Sequence, residues 1–292
     1  MTRSDPPSVS PAARFRTQNG EAYLTEHLQE TEPGFWSGPR AEGLHYDSAR
    51  SMHWREAEDG SGWHRHRAAV VVDVVTRFPP DGTLFDLGGG NGFVTRALVD
   101  ADIPGVLVEP VEEAVRTAYA RGLRPVVCST VEAAGFPEGS LPAVGLFDVI
   151  EHIEDDGGFL GRLHGLLVPG GRLYLTVPKH PGLWSAHDDE SGHQRRYTAA
   201  ALRSMVEAAG FTVEHQTSFF SALLAPMALR RLVQRSPRED AATVTDPTGG
   251  GGAMAGVLDR LLARERRSLR RRTRRTGTSL LLVARRGRGA QP

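Results

Sequence analysis

One cysteine, one lysine and no net charge mark this 292-residue chain. A lone thiol, Cys128, closes no intrachain disulfide, and no Cys/His array has zinc-ligand spacing, so neither an oxidising compartment nor a structural metal is indicated; a cytoplasmic location and no resident metal are expected. No apolar run approaches the roughly 20 residues of a membrane span, and the stretch Met1-Thr2-Arg3-Ser4-Asp5-Pro6-Pro7 has no signal-peptide core. Lys179 is the only lysine, which by itself reads as coding bias. The 35 basic and 35 acidic residues cancel, yet 259–288 holds twelve arginines against two acids, an asymmetry of the kind that meets nucleic acid or an anionic membrane surface.

The Pro-, Ser- and Arg-rich stretch 1–19 lacks periodicity and is expected to be a disordered tail. Residues 20–62 scatter Tyr23, Phe35, Trp36, Tyr46 and Trp54 among polar residues and are read as a cap. From Trp63 onward the pattern becomes regular. A helix runs to Phe78, a Pro-Pro-Asp-Gly breaker follows, and strands are expected at 83–87, 105–108, 125–128, 144–150, 172–177 and 211–218. Helices at 93–101, 111–120, 158–167 and 199–209 lie between most of them, the last with Thr198 as N-cap and Gly210 beyond its end. Such alternation predicts an α/β domain, a doubly wound, mostly parallel sheet, over 63–288. An insertion at 219–276 carries an apolar helix, a glycine-rich loop at 236–252 and an amphipathic helix with Leu258, Leu261, Leu262 and Leu269, before a seventh strand at 278–284.

The run Asp86-Leu87-Gly88-Gly89-Gly90-Asn91-Gly92-Phe93 removes side chains where a strand turns into a helix, so that a ligand can approach the backbone and the helix N-terminus. The dinucleotide fingerprint G-x-G-x-x-G needs glycine where Phe93 stands, which weakens an NAD-linked oxidoreductase reading. Asp86 would repel a pyrophosphate but attract an amino-acid ammonium. Glu109, 23 residues further on, can accept two ribose hydroxyls. With two further blocks, Phe147-Asp148-Val149-Ile150-Glu151-His152-Ile153-Glu154-Asp155 and Leu167-Val168-Pro169-Gly170-Gly171-Arg172-Leu173, the chain resembles the class I S-adenosylmethionine (SAM)-dependent methyltransferases over 63–220. The resemblance implies a Rossmann-like seven-stranded sheet of order 3-2-1-4-5-7-6 with the seventh strand antiparallel. It also implies SAM as cofactor, with Asp86 near the methionine amino group and Glu109 on the ribose. Gly88, Gly90, Gly92 and Asp148 join the expected cofactor set, and Ser129 stands where many relatives place an Asp against the adenine amine.

Methyl transfer from a sulfonium is an in-line displacement, so alignment dominates, and a general base helps if the acceptor is a hydroxyl. His152, after the fourth strand, and His187 and His193, in the charged segment beyond the fifth, are the candidate catalytic groups, because imidazole titrates near working pH. A metal at His187, Asp188 and His193, or at Glu151, Glu154 and Asp155, is the minor alternative. The N-terminal aromatics and the helix at 219–233 could roof an acceptor pocket, or simply pack as core. The expected activity is O-methylation of a small molecule. N- or C-methylation remains open, as does a nucleic-acid- or membrane-surface-binding protein with a regulatory SAM site. Nucleic acid is disfavoured because no aromatics interleave the arginines, and a peripheral membrane contact is disfavoured beside a lid.

Overall fold

The computed structural model describes residues 13–17, 20–25, 27–39, 61–233 and 253–288. The amino-terminal segments depart from expectation. Within the supposed tail, β1 (Ala13–Arg16) pairs antiparallel with β2 (Ala22–Thr25). Within the supposed cap, β3 (Gln29–Glu32) and β4 (Phe35–Ser37) join the main sheet, β4 lying parallel to the third strand of the α/β repeat. Short strands with little alternation carry too weak a period to be read locally. Their aromatics are core: Phe35 packs with Leu107 and Val126, and Tyr23 and Trp36 are buried in the main cluster. Tyr46 and Trp54 lie outside the described residues.

The repeat follows as α1 (Gly62–Arg77), β5 (Leu84–Leu87), α2 (Phe93–Val99), β6 (Gly105–Glu109), α3 (Glu112–Ala120), β7 (Val126–Cys128), β8 (Leu141–Phe147), α4 (Asp156–Leu166), β9 (Leu167–Pro178), α5 (Ala186–Ser191), α6 (Ala199–Ala208), β10 (Phe211–Phe219), α7 (Ser221–Val233), α8 (Ala253–Leu269) and β11 (Ser279–Arg286). Among the described residues the sheet has nine strands rather than seven, in the order β10-β11-β9-β8-β5-β6-β7-β4-β3. Numbered from β5, the seven strands of the repeat run 3-2-1-4-5-7-6, and β11 is antiparallel to both of its neighbours.

Alternate residues of each strand serve opposite faces. Phe85, Val106, Val108, Leu280 and Leu282 meet Leu160 and Leu163 of α4 and Leu202 and Val206 of α6. Leu84, Leu281 and Val283 meet Val70, Val71 and Val74 of α1, Leu98 of α2 and Leu262 of α8. Burial on both faces is why these strands read as near-continuous apolar runs. The Thr198 hydroxyl accepts from Ala201 N at 3.1 Å, and Gly210 beyond α6 has φ +96°.

Strand β8 sits three residues earlier than its apolar pattern suggests. Its pairing ends where Asp148 takes φ +60°, its carboxylate accepting from Arg67 of α1 and, at 3.2 Å, from the Thr176 hydroxyl; Ile150–His152 then form a single 3-10 turn. Side-chain pairing, invisible to periodicity, decides this end.

The insertion is anchored from inside. Phe220, buried at φ +61° and stacked on Trp63 with ring centres 5.3 Å apart, donates its N–H to Glu265 of α8 at 2.8 Å. The same carboxylate accepts from His66 Nε2 at 2.9 Å and from Ser221 N at 2.8 Å. The lone lysine has a structural role as well. Buried Lys179 donates to Ser218 Oγ at 3.1 Å and to the Arg275 carbonyl at 2.6 Å, tying the end of β9 to β10 and to the turn after α8. Part of the arginine-rich stretch is used internally, since Arg266 and Arg270 both hold Asp73 of α1. No helix among the described residues is long and apolar enough to cross a membrane.

Removing the Glu265 carboxylate strands several buried donors at once. Glu265→Ala is expected to lower unfolding stability by about 3 kcal/mol or more, the usual cost of deleting one partner of a buried ion pair. Equilibrium denaturant unfolding measures it, and a loss below about 1 kcal/mol would show that α7 and α8 are held by apolar packing alone.

Candidate functional site

Parallel strands β5, β6 and β8 all point their carboxyl ends to one edge, which is where open α/β sheets bind ligands. At the end of β5 the chain turns through Gly88 (φ +71°), Gly90 (φ +55°) and Gly92 (φ +73°) into α2. A side chain at Gly92 would strike Leu123 and Ala118, whereas at Gly90 it would meet nothing within 4 Å, so the loop is packed below and open above. Asp86 is fully buried beneath it. One of its carboxylate oxygens accepts from the Thr95 hydroxyl at 2.6 Å, while Oδ1 has no partner. Burial raises its pKa to about 6, against the pull of Thr95 and of the Arg67 charge. Glu109, at the end of β6, accepts from Gly90 N at 3.0 Å and from Val111 N at 2.9 Å. Burial, only partly offset by those two N–H groups, lifts it to about 7.

The fit to SAM rests on what these groups leave over. Asp86 Oδ1 is a buried acceptor without a donor, as an ammonium would supply, and a carboxylate with two oxygens and about four acceptor sites can take ribose hydroxyls beside its two backbone donors. Ser129, expected against the adenine, is buried, its N–H bonded to the Glu109 carbonyl at 3.2 Å and its Oγ unpartnered and packed against Gly38. Asp148, expected among the cofactor groups, accepts from Arg67 and Thr176. Arg67 was not legible as a site residue. It lies on α1 within electrostatic reach of Asp86, Asp148 and Glu151, and so neutralises an edge crowded with acids.

Beside this loop, Val149 packs where a Gly88 side chain would be. The 3-10 turn that follows presents Glu151 and His152. Across from them α5 is closed by a reciprocal cap between Ser185 and Asp188 and is ended by Gly192 at φ +73°, which turns His193 and Gln194 back so that Gln194 N donates to the Glu151 carbonyl at 2.7 Å. Two of the three expected catalytic histidines thereby meet: the ring centres of His152 and His193 are 4.8 Å apart. That of His187 lies 6.4 Å from His193. His193 Nδ1 is 2.8 Å from Asp188 Oδ1, and Asp188 is also gripped by Arg196 through Nε at 2.7 Å and Nη2 at 2.9 Å. Burial alone would raise Asp188, but those hydrogen bonds outweigh it and hold the group at about 2.

Glu151 is the residue the sequence undervalued. It is 0% exposed and neither carboxylate oxygen has a hydrogen-bond partner; burial, with the Asp148 charge nearby, drives its pKa well upward. In the sequence it stands after the fourth strand as one of the acidic cluster Glu151, Glu154 and Asp155, and a glutamate there reads equally well as solvated.

A family model described as methyltransferase domain matches residues 63–216, so the chain belongs to that family. A Mycolicibacterium smegmatis protein named as an S-adenosylmethionine-dependent methyltransferase is 26% identical over 167 residues, 56% of this chain and 64% of that one. A ubiquinone biosynthesis O-methyltransferase of Caulobacter vibrioides is 30% identical over 114 residues, 36% of this chain and 44% of that one. The chain thus spans less than two thirds of the length of either relative. Among solved structures, a chain of the Haloferax volcanii complex between the Trm112 methyltransferase activator and a methyltransferase superposes with a TM-score of 0.52 at 20% identity, covering 84% of this chain and 96% of that one, a likeness of fold. The family is that of the class I SAM-dependent methyltransferases, and the cofactor is SAM.

An ammonium and ribose hydroxyls are held best by ionised carboxylates, and Asp86 and Glu109 both sit above the ordinary carboxylate range, so with these two at the cofactor SAM affinity is expected to be greatest above about pH 7 and to fall as pH drops through about 7 and about 6. Asp86→Asn should weaken SAM binding at least about tenfold, in line with the loss of one charge-assisted hydrogen bond. Calorimetric titration across that range checks both; an affinity independent of pH and of Asp86 would remove these carboxylates from the cofactor site.

Proposed function

We propose that this member of the methyltransferase-domain family transfers the methyl group of SAM to a hydroxyl oxygen of a small molecule, and that the acceptor oxygen is received at the cluster of Glu151, His152 and His193. The observation that carries the reading is the buried, unpartnered Glu151 carboxylate grouped with two imidazoles, two residues beyond the Val149 that packs on the glycine loop. An amine acceptor has its own lone pair once neutral and asks the protein mainly for orientation. A hydroxyl must also lose a proton, and this cluster gathers groups suited to handling it. The O-methyltransferase named among the relatives agrees in acceptor atom, on a match covering 36% of this chain.

SAM supplies the methyl group, its carbon–sulfur bond breaking as the carbon–oxygen bond forms, with the bonding pair leaving on sulfur. The protein's own contribution is positional. Asp86 and Glu109 fix the donor end from beneath, and the 3-10 turn fixes the acceptor end from the side. Hydrogen bonds from Tyr197 Oη to the Ile150 carbonyl at 3.3 Å and to Asp156 at 2.8 Å pin that turn. The charged segment from His187 to Arg196 is thus a built wall rather than a loose solvated loop, since Asp188 and Arg196 within it are buried.

With SAM and a panel of phenols, alcohols and amines, product mass and released S-adenosylhomocysteine should show methylation on oxygen. Glu151→Gln should reduce kcat/KM by about a hundredfold, a typical contribution of one proton-handling group, while SAM affinity is unchanged. Turnover of amines alone, or an undiminished Glu151→Gln enzyme, would overturn the assignment.

A further inference from the structure

We infer that Glu151, His152 and His193 form a binding site for one divalent transition-metal ion of the zinc class. One nitrogen of each ring and one carboxylate oxygen lie within 4.8 Å of one another. In each ring Nδ1 already has an acceptor: His193 Nδ1 faces Asp188 Oδ1 at 2.8 Å, and His152 Nδ1 the Gly192 carbonyl at 3.3 Å. Acceptors on both Nδ1 atoms favour the tautomer that carries its proton there, which leaves each Nε2 lone pair to offer. A carboxylate or a carbonyl behind a ligand imidazole is the usual outer support of such sites, fixing ring orientation and raising basicity. Asp188 is itself held by Arg196 and by the Ser185 N–H at 2.8 Å, so the support is rigid.

The second, independent observation is Glu151. Its carboxylate is wholly buried, has both oxygens without a hydrogen-bond partner and shares the cluster with the two imidazoles. A buried carboxyl with no hydrogen-bond partner is stabilised in its ionised form only by a cation, and among the described residues this is the one group of three His, Cys, Asp or Glu side chains close enough together to share an ion. Two imidazoles and one carboxylate are the donor set of open zinc sites, with a fourth position left for water or substrate. Ligand atoms about 3.3 Å apart surround zinc at bond lengths of about 2.0–2.1 Å, so the cluster must contract, and the solvent-facing His152 ring is the member free to move. The sequence points elsewhere, either to no metal or to sets within one segment, His187 with Asp188 and His193 or Glu151 with Glu154 and Asp155. The ligands in fact come from two segments 41 residues apart, joined by the turn at Gly192.

The inference deepens the reading above and rests on it only for the metal's use: an acceptor hydroxyl in the open position would lose its proton more readily beside the cation. The site itself is tested without turnover. The full chain, stripped with a chelator, is titrated with zinc by competition against a chromophoric chelator and with cobalt(II) by visible absorption, and SAM binding is measured in parallel. One metal per chain is expected, with cobalt absorption of low-coordinate intensity. Affinity should fall at least about tenfold in Glu151→Gln and in His193→Gln, and by about 10–100-fold in Asp188→Asn, which removes only the support. His152→Gln, at a solvent-facing ring, serves if the buried variants fail to fold, retained SAM binding being the sign of a folded protein. Absence of stoichiometric metal in a wild-type protein that binds SAM, or metal binding unchanged in the folded variants, overturns the site. Metal binding that responds to these variants without O-methylation would uphold the site and dismiss only the acceptor reading.

Discussion

Three carboxylates, Asp86, Glu109 and Glu151, are taken out of water at the carboxyl edge of one parallel sheet, and the surrounding structure compensates for that desolvation. Parallel strands joined by right-handed crossovers deliver their ends to the same side, so the chain turns that follow β5, β6 and β8 converge there. Each acid meets a different answer. Asp86 has Thr95 and the nearby Arg67 charge, Glu109 has two backbone N–H groups, and Glu151 has no hydrogen-bond partner at all. This gradient separates groups that support a turn from groups that await a ligand.

Arg67 links the two halves of the edge. Projecting from α1, it pairs with Asp148 and lies near enough to Asp86 and Glu151 to lower the pKa of both, so that the glycine loop and the 3-10 turn share one counter-charge. Its own helix is held by Asp73 to Arg266 and Arg270 and by His66 to Glu265, which places the insertion between β10 and β11 in the service of the site from behind the sheet. Those two arginines grip Asp73 as an internal clasp, whatever their exposed neighbours do.

The segment beyond β9 shows how a short polar stretch becomes rigid. A six-residue helix has little stability of its own. Its reciprocal Ser185–Asp188 cap, the left-handed Gly192 and the double grip of Arg196 on Asp188 replace length with hydrogen bonds, and they carry His193 to His152.

What the sequence determined by itself was everything with a local cause. Apolar runs buried on two faces announced β5 to β11, 3.6-residue periodicity announced α1 to α4 and α6 though not the short α5, Thr198 and Gly210 bounded α6, and the glycine turn together with the blocks 147–155 and 167–173 announced the cofactor and its family. Tertiary structure alone decided the rest. The short strands β3 and β4 exist because an edge at β7 was available to pair with, and β8 stops at Asp148 because Arg67 comes from another element to hold it. Glu151 acquired its importance from being sealed in without a partner, and His193 from a turn that crosses 41 residues of chain. Pairing, burial and counter-charge are relations between distant residues, and no period along the chain encodes them.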